Sequence, residues 1–279
     1  MFTETTITGI RARVADRRSD GARIALVPTM GALHDGHLRL IDVARGTADI
    51  VVASIFVNPL QFGPGEDLAK YPRNLENDTA ALAERGASFL FAPGVNEMYP
   101  DGETTTITPP PFASRFEGAV RPGHFGGVFT VVTKLFNIVQ PSVAVFGRKD
   151  LQQLALIRRM VADLNFPTEI LGVDTVRESD GLALSSRNRY LDEGARGVAP
   201  RIHSALLAAR AMFHSGVTDP TSIEATGLEM LAQQPPIAVD YFAVVRESDF
   251  DRPTAAALGD SIVTAVRLGT TRLIDNIQL

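Results

Sequence analysis

Residues 1 to about 175 alternate between two textures. Short, nearly unbroken apolar runs rich in β-branched residues occupy 23–27, 50–57, 87–91, 143–146 and 169–176, each bounded by turn residues. Between them, 38–48, 74–85, 128–139 and 151–164 carry apolar residues at helical spacing. In the third of these, Val128, Val131, Val132, Leu135, Phe136 and Val139 share one face. A strand with one wet face would alternate polar with apolar; these runs do not, and so predict strands buried on both faces, as in a parallel sheet covered by helices. The strand–helix alternation predicts an α/β fold, a doubly wound, mostly parallel, Rossmann-like sheet.

After residue 176 the pattern changes. An Ala-rich helical stretch covers 192–214 and a second covers 220–233; a strand at 239–245 and a hairpin of 261–268 and 271–278 follow. Helices followed by strands predict a second, smaller α+β domain. The expected division is a Rossmann-like domain over 1–175 and an α+β domain over 176–279.

Composition narrows the function. The 279 residues hold 27 Lys+Arg against 32 Asp+Glu, a formal net charge of −5, with no Cys and no Trp. Absence of Cys excludes a disulfide framework, a thiolate metal site and a Cys nucleophile. The acidic balance gives no electrostatic footprint for nonspecific nucleic-acid binding. No basic run followed by an apolar stretch opens the sequence, and no apolar run is long enough to span a bilayer. A cytoplasmic protein with no membrane partner is expected.

Polar motifs gather where the apolar runs end. Pro28-Thr-Met30-Gly31-Ala32-Leu33-His34-Asp35-Gly36-His37 follows the first run and opens a helix. There the two imidazoles stand one turn apart beside free helix N–H groups, which suits a phosphate; a solvated turn with two surface histidines is the bland alternative. Phe56-Val-Asn58-Pro59-Leu-Gln61 follows the second run. Its two side-chain amides suit a small hydroxy acid, or serve only the turn. In Gly147-Arg148-Lys149-Asp150, Lys149 is a point charge for phosphate and Asp150 a helix cap or a contact to ribose or Mg²⁺; Gln153 would face the same crevice. Beyond Val176, Leu184-Ser185-Ser186-Arg187 reads as a polyphosphate clamp or a capped polar linker. Asp78 is a further candidate, for a carboxylate near a metal. The Gly/Pro-rich segments 63–71 and 121–127 are expected to form a closing lid. Ligands of open α/β sheets bind outside the carboxyl ends of the strands, so the motifs together predict one crevice for a nucleoside triphosphate and a small polar acid.

Six strings carry a resemblance: Pro28 to His37, Ser54-Ile-Phe-Val-Asn-Pro-Leu-Gln-Phe62, Arg121-Pro-Gly-His-Phe125, Lys149-Asp-Leu-Gln-Gln153, Ser185-Ser-Arg-Asn188 and Arg272-Leu-Ile-Asp-Asn276. In this order they resemble the pantoate–β-alanine ligase (pantothenate synthetase) family over essentially the whole chain. His34-Asp-Gly36-His37 alone would suggest only the wider nucleotidyltransferase superfamily. The resemblance implies that ATP and (R)-pantoate form pantoyl adenylate, that β-alanine then displaces AMP, and that the enzyme uses Mg²⁺ and is a homodimer. It further implies that Met30 to His37 line the ATP site, with His34 and His37 on the phosphates and His37 as proton donor. Gln61 and Gln153 would hold pantoate, and Gln61 also β-alanine. Gly147, Arg148, Lys149, Asp150, Val176, Leu184, Ser185, Ser186 and Arg187 would complete the nucleotide site. His34, His37, Lys149 and Arg187 are the expected catalytic donors; no protein ligand of the metal is assigned. Arg148 stands where members often carry Glu or Gln, and Leu184 where many carry Met. The alternatives are a nucleotidyltransferase that releases a nucleotide conjugate and a non-catalytic ATP sensor.

Overall fold

Six short strands pair in parallel: β1 (Phe2–Glu4), β2 (Ile24–Thr29), β3 (Ile50–Ile55), β4 (Phe89–Phe91), β5 (Val143–Gly147) and β6 (Glu169–Val173). The computed structural model describes residues 1–100, 102, 105–233 and 237–279. The strands lie in the order β1-β4-β3-β2-β5-β6, so the winding reverses at β2. β2 runs beside β3 over six register pairs, from Ile24↔Ile50 to Thr29↔Ile55, but beside β5 over only two, Ala25↔Val143 and Leu26↔Ala144. Past Leu26 the β2–β5 ladder stops, and a fork opens at the carboxyl edge of the sheet. That is where a doubly wound sheet receives its ligand.

The interleaved helices are α1 (Ile7–Ser19), α2 (Asp35–Thr47), α3 (Leu75–Glu84), α4 (Val95–Met98), α5 (Glu117–Val120), α6 (His124–Val139) and α7 (Leu151–Asp163). Successive strand residues face opposite ways. Ala25, Val27, Val51 and Ala53 pack with Leu40, Ile41 and Ala44 of α2 and Leu82 of α3. Ile24, Leu26 and Val52 on the other face are fully buried, and α6 packs against β2. This explains the lack of polar alternation in the runs. The first strand and first helix had no counterpart in the sequence pattern. β1 is a three-residue edge strand, and α1 buries only Ile10 and Val14 among its arginines, so its apolar stripe is too thin to read.

The chain divides into two compact units, Met1–Gly147 with Leu156–Val173, and Arg148–Ala155 with Asp174–Leu279. The start of α7 therefore belongs with the later part of the chain, although a single cut at 175/176 was expected. In the second unit α8 (Glu193–Val198), α9 (Arg201–His214) and α10 (Pro220–Ala232) accompany an antiparallel sheet of β7 (Ile237–Val245), β8 (Ser261–Leu268) and β9 (Thr271–Gln278). Its core includes Leu182, Ile202, Leu206, Ile223, Phe242, Val266 and Leu273. The single helix expected over 192–214 is two, because Pro200 has no N–H to continue the ladder. Among the described residues no helix is long and apolar enough to cross a membrane.

Buried polar groups fix both units. Glu224, nearly buried on α10, accepts the N–H of Val244 at 2.9 Å and pairs with Arg252, so a carboxylate covers the outer edge of β7. In the first unit α6 begins at His124, so the 121–127 segment expected as half of a lid is in part its first turn. Arg121 donates to Glu66 at 2.6 Å, to the Gln61 carbonyl at 3.2 Å and to Nε2 of His124 at 3.1 Å. A guanidinium only donates, so Nε2 accepts and Nδ1 carries the hydrogen that it gives to the Gln61 carbonyl at 2.8 Å. These bonds tie 121–127 to residues 61–66. Burial, and next the charge of Arg121, push the His124 imidazole down to about 4. Burial alone would raise the Glu66 carboxyl, but the hydrogen bond and charge of Arg121 outweigh it and hold it below its usual range.

Two outcomes are expected. Glu224→Ala, which strips the Val244 N–H of its acceptor, should lower unfolding free energy in urea by about 1–3 kcal/mol. Because folded His124 titrates below the unfolded value of 6.5, the unfolded chain binds the proton first as pH falls. Stability should therefore decline between pH 6.5 and 4, by roughly 3 kcal/mol from this residue. Urea titrations across that range should show a shallower decline in His124→Gln.

Candidate functional site

The loop leaving β2 is held by one carboxylate. Asp78, in the first turn of α3 and 6% exposed, accepts the N–H of Ala32 through Oδ2 and that of Leu33 through Oδ1, both at 2.9 Å. Gly31 has φ +82°, and a Cβ there would stand 2.9 Å from Asp78 Oδ2, so only glycine fits both the backbone and the space. Ala32 is also left-handed, at φ 51°. Such backbone settings persist where the surroundings over-determine them, and ligand-binding loops are a common place for them. Asp78 is thus a main-chain anchor. A cavity of about 280 Å³ opens beside the loop, lined by Met30, Gly31, Phe56, Asn74, Asp78 and Val95 among others.

The held loop delivers two imidazoles to the start of α2. His34 is the N-cap: its Nδ1 accepts the N–H of Gly36 at 3.1 Å, while Nδ1 of His37 reaches back to the N–H of His34 at 3.4 Å. The ring centroids are 4.1 Å apart. Both Nδ1 atoms face main-chain donors, so in both neutral rings Nε2 carries the hydrogen. The cap thereby turns two imidazoles into oriented donors at the positive end of a helix. Asp35 and Gly36 supply the first N–H groups of that helix.

After β3, Asn58 fixes Gln61. Asn58 is 1% exposed; its Oδ1 accepts the N–H of Leu60 at 3.3 Å and the hydroxyl of Tyr99 at 2.9 Å, and its Nδ2 donates to the Gly127 carbonyl at 3.1 Å. The two main-chain partners leave one amide orientation. Nδ2 also donates to Gln61 Oε1 at 3.2 Å, so Gln61 turns its Nε2 toward the Met30 sulfur, 3.0 Å away. Thioether sulfur is a weak acceptor, which an oxygen-rich ligand would readily replace. A Cβ on Gly127 would lie 2.2 Å from the Leu60 carbonyl oxygen, so α6 meets the 3₁₀ turn Pro59–Gln61 only through a glycine.

In the second unit, Arg148, Lys149 and Asp150 form a 3₁₀ turn before α7, and Gln153 stands half-buried in the first turn of α7. Lys149 Nζ lies 3.9 Å from Asp150. The Arg148 guanidinium is occupied: it pairs with Glu247, which also takes the hydroxyl of Ser261, and lies 3.7 Å from Asp174. Val176 stands three residues beyond β6, and its carbonyl accepts the N–H of Leu184 at 3.0 Å across a narrow loop. Ser185 caps the 3₁₀ turn Ser186–Tyr190, its Oγ taking the N–H of Arg187 at 3.2 Å. Arg187 and Ser186 are half-buried beside it.

The first unit therefore brings Met30 to His37 and Gln61 to one edge of its sheet, and the second brings Lys149 and the Ser185–Arg187 segment onto neighbouring loops. Sequence reasoning passed over Tyr99, the Arg121–Glu66 pair and Glu247, and it underrated Asp78. Each acts on a main chain or side chain far along the sequence, and no local spacing announces that.

A family model described as pantoate-beta-alanine ligase matches residues 3–278. A pantothenate synthetase of Rhizobium rhizogenes is 51% identical over 278 residues, covering 99% of this chain and 95% of its own. One from Azotobacter vinelandii is 52% identical over 284 residues, covering 100% and 99%. The crystal structure of pantothenate synthetase from Thermus thermophilus superposes with a TM-score of 0.94 at 48% identity, covering 100% of this chain and 99% of that one. A pantoate-beta-alanine ligase from Francisella tularensis, solved with beta-gamma ATP and β-alanine bound, gives 0.80 at 33% identity over 100% and 97%. On whole-length matches in both sequence and fold, the chain belongs to the pantoate–β-alanine ligase family.

Proposed function

We propose that the chain condenses (R)-pantoate with β-alanine at the expense of ATP, through a pantoyl adenylate, as a homodimeric cytoplasmic enzyme. The observation that carries this reading is the pair of capped imidazoles at the start of α2, each with its hydrogen on Nε2. A carboxylate is a poor electrophile. In the first step a pantoate carboxylate oxygen attacks the α-phosphorus and pyrophosphate leaves; in the second the β-alanine amine attacks the acyl carbon and AMP leaves. Charge builds on phosphoryl oxygens in the first step, and fixed donors are the main means of stabilising it. His34 and His37 take that role, with Lys149, Ser185, Ser186 and Arg187, and the segment Met30 to His37 lines the ATP. Gly147 to Asp150, Val176 and Leu184 complete the nucleotide site. Gln61 presents Nε2 hydrogens to pantoate oxygens, Gln153 holds the same substrate, and Gln61 also meets β-alanine. Holding the amine near the acyl carbon supplies much of the second step.

Mg²⁺ belongs to this reading as a companion of the triphosphate. Among the described residues no group of three His, Asp or Glu is placed to hold a metal, and Mg²⁺ is commonly held by phosphates with one or two carboxylates. Asp150, exposed next to Lys149, would supply one such oxygen. When bound, the ion offsets negative charge on the phosphates.

His37→Ala should reduce pantoate-dependent pyrophosphate release by roughly 10²–10³-fold, the cost of deleting one donor to a developing oxyanion. Near-normal release from the purified variant would refute the assignment. Tyr99→Phe removes one hydrogen bond from the amide that orients Gln61, worth about 1 kcal/mol, or about fivefold. The KM for pantoate should rise by that factor while the KM for ATP stays put. Steady-state kinetics with each substrate varied in turn decides it.

A further inference from the structure

The string Arg272-Leu-Ile-Asp275-Asn276 belongs to the resemblance but has no part in the reaction as read so far. In the second unit it lies on β9, and its last two residues are almost fully buried. Asn276 Nδ2 donates to the carbonyl of Arg148 and to the carbonyl of Lys149, each at 2.9 Å. Both amide hydrogens are thus spent on consecutive peptide groups of the turn from which Lys149 projects. Asp275 Oδ1 accepts the Asn276 N–H at 2.8 Å. The same carboxylate forms a two-bond pair with Arg177, at 2.7 and 2.9 Å. Arg177 in turn donates to the carbonyls of Asn276 at 3.2 Å and Gly181 at 3.1 Å. Gly181 turns the loop whose other arm leads into Leu184 and Ser185.

We propose that Asn276 is a positioning residue for Lys149. It fixes the turn that carries the ammonium, and through Asp275 and Arg177 it sets that turn relative to the Ser185–Arg187 segment. The inference rests on the reading that Lys149 meets phosphate oxygens. A lysine has a long flexible stem, so a fixed charge needs a fixed root. Only a side chain with two donors can hold two carbonyls at once; an aspartate of the same shape would repel both.

The chain makes this testable, because only three of its 27 Lys+Arg residues are lysines: Lys70, Lys134 and Lys149. Reductive ¹³C-methylation keeps their charge and gives one resolved NMR signal for each, with Lys149 assigned by Lys149→Arg. In Asn276→Ala the Lys149 signal should move and narrow while that of Lys134 stays in place. Pantoate-dependent exchange of pyrophosphate into ATP should fall by about 10²-fold, the scale of a misplacement near 1 Å. That loss should vanish when Asn276→Ala is made in a Lys149→Ala background. Asn276→Ser, which keeps one donor, should fall between and serves if the alanine variant does not fold. A Lys149 signal that is the same in every variant overturns the proposal, as does an equal loss of exchange with and without Lys149. Absence of exchange in the unaltered chain would overturn the proposed reaction, and the NMR comparison would still decide whether Asn276 holds Lys149.

Discussion

Peptide groups at the carboxyl end of a parallel sheet have left the ladder, and burial obliges each of them to find another partner. In this chain side chains meet that obligation. Asp78 takes two N–H groups from the loop after β2, His34 takes one at the start of α2, and Asn58 joins an N–H beyond β3 to a carbonyl of α6. Asn276 holds two carbonyls after β5. The main chain of these loops is thus satisfied by side chains, several of them from distant elements. The chemistry then depends on what those loops carry.

The same bonds set the polarity of the carried groups. An imidazole that accepts at Nδ1 must donate at Nε2, and an amide whose oxygen is taken must offer its nitrogen. In His34, His37 and Gln61 the nitrogen beyond these bonds is a donor, which is the polarity that phosphate and carboxylate oxygens need. Arg148 follows the opposite course. Its guanidinium is taken up by Glu247, 99 residues further on, so its charge is neutralised within its own unit.

The strands could be read because burial on both faces leaves an unmistakable run of apolar residues, and β2, β3 and β5 fall within two residues of their expected limits. The motif residues could be read because histidines, amides and serines cluster directly after those runs. What escaped was local pattern that is weak, or pairing that is distant. α1 shows too few apolar residues, the break at Pro200 sits inside a strong helical pattern, and 124–127 looks like a loop because two of its four residues are glycine. One of those glycines is required by the Leu60 carbonyl, a contact 67 residues away in sequence. Tyr99, Asp78 and Asn276 act across comparable separations. Sequence spacing records what lies along a helix or strand, and these residues work between elements.

Lysine scarcity has a further chemical meaning. A mixed anhydride of a carboxylic acid and AMP acylates amines, and the intended amine here is that of a small amino acid. Of the two lysines whose side chains are described, Lys134 lies over the Tyr99 ring and Lys149 beside Asp150. Of the 27 Lys+Arg residues, 24 are arginines, whose guanidinium groups stay charged and are poor nucleophiles near neutrality. A chain whose cations are mostly guanidinium groups carries few side-chain amines that an escaping activated acyl group could modify.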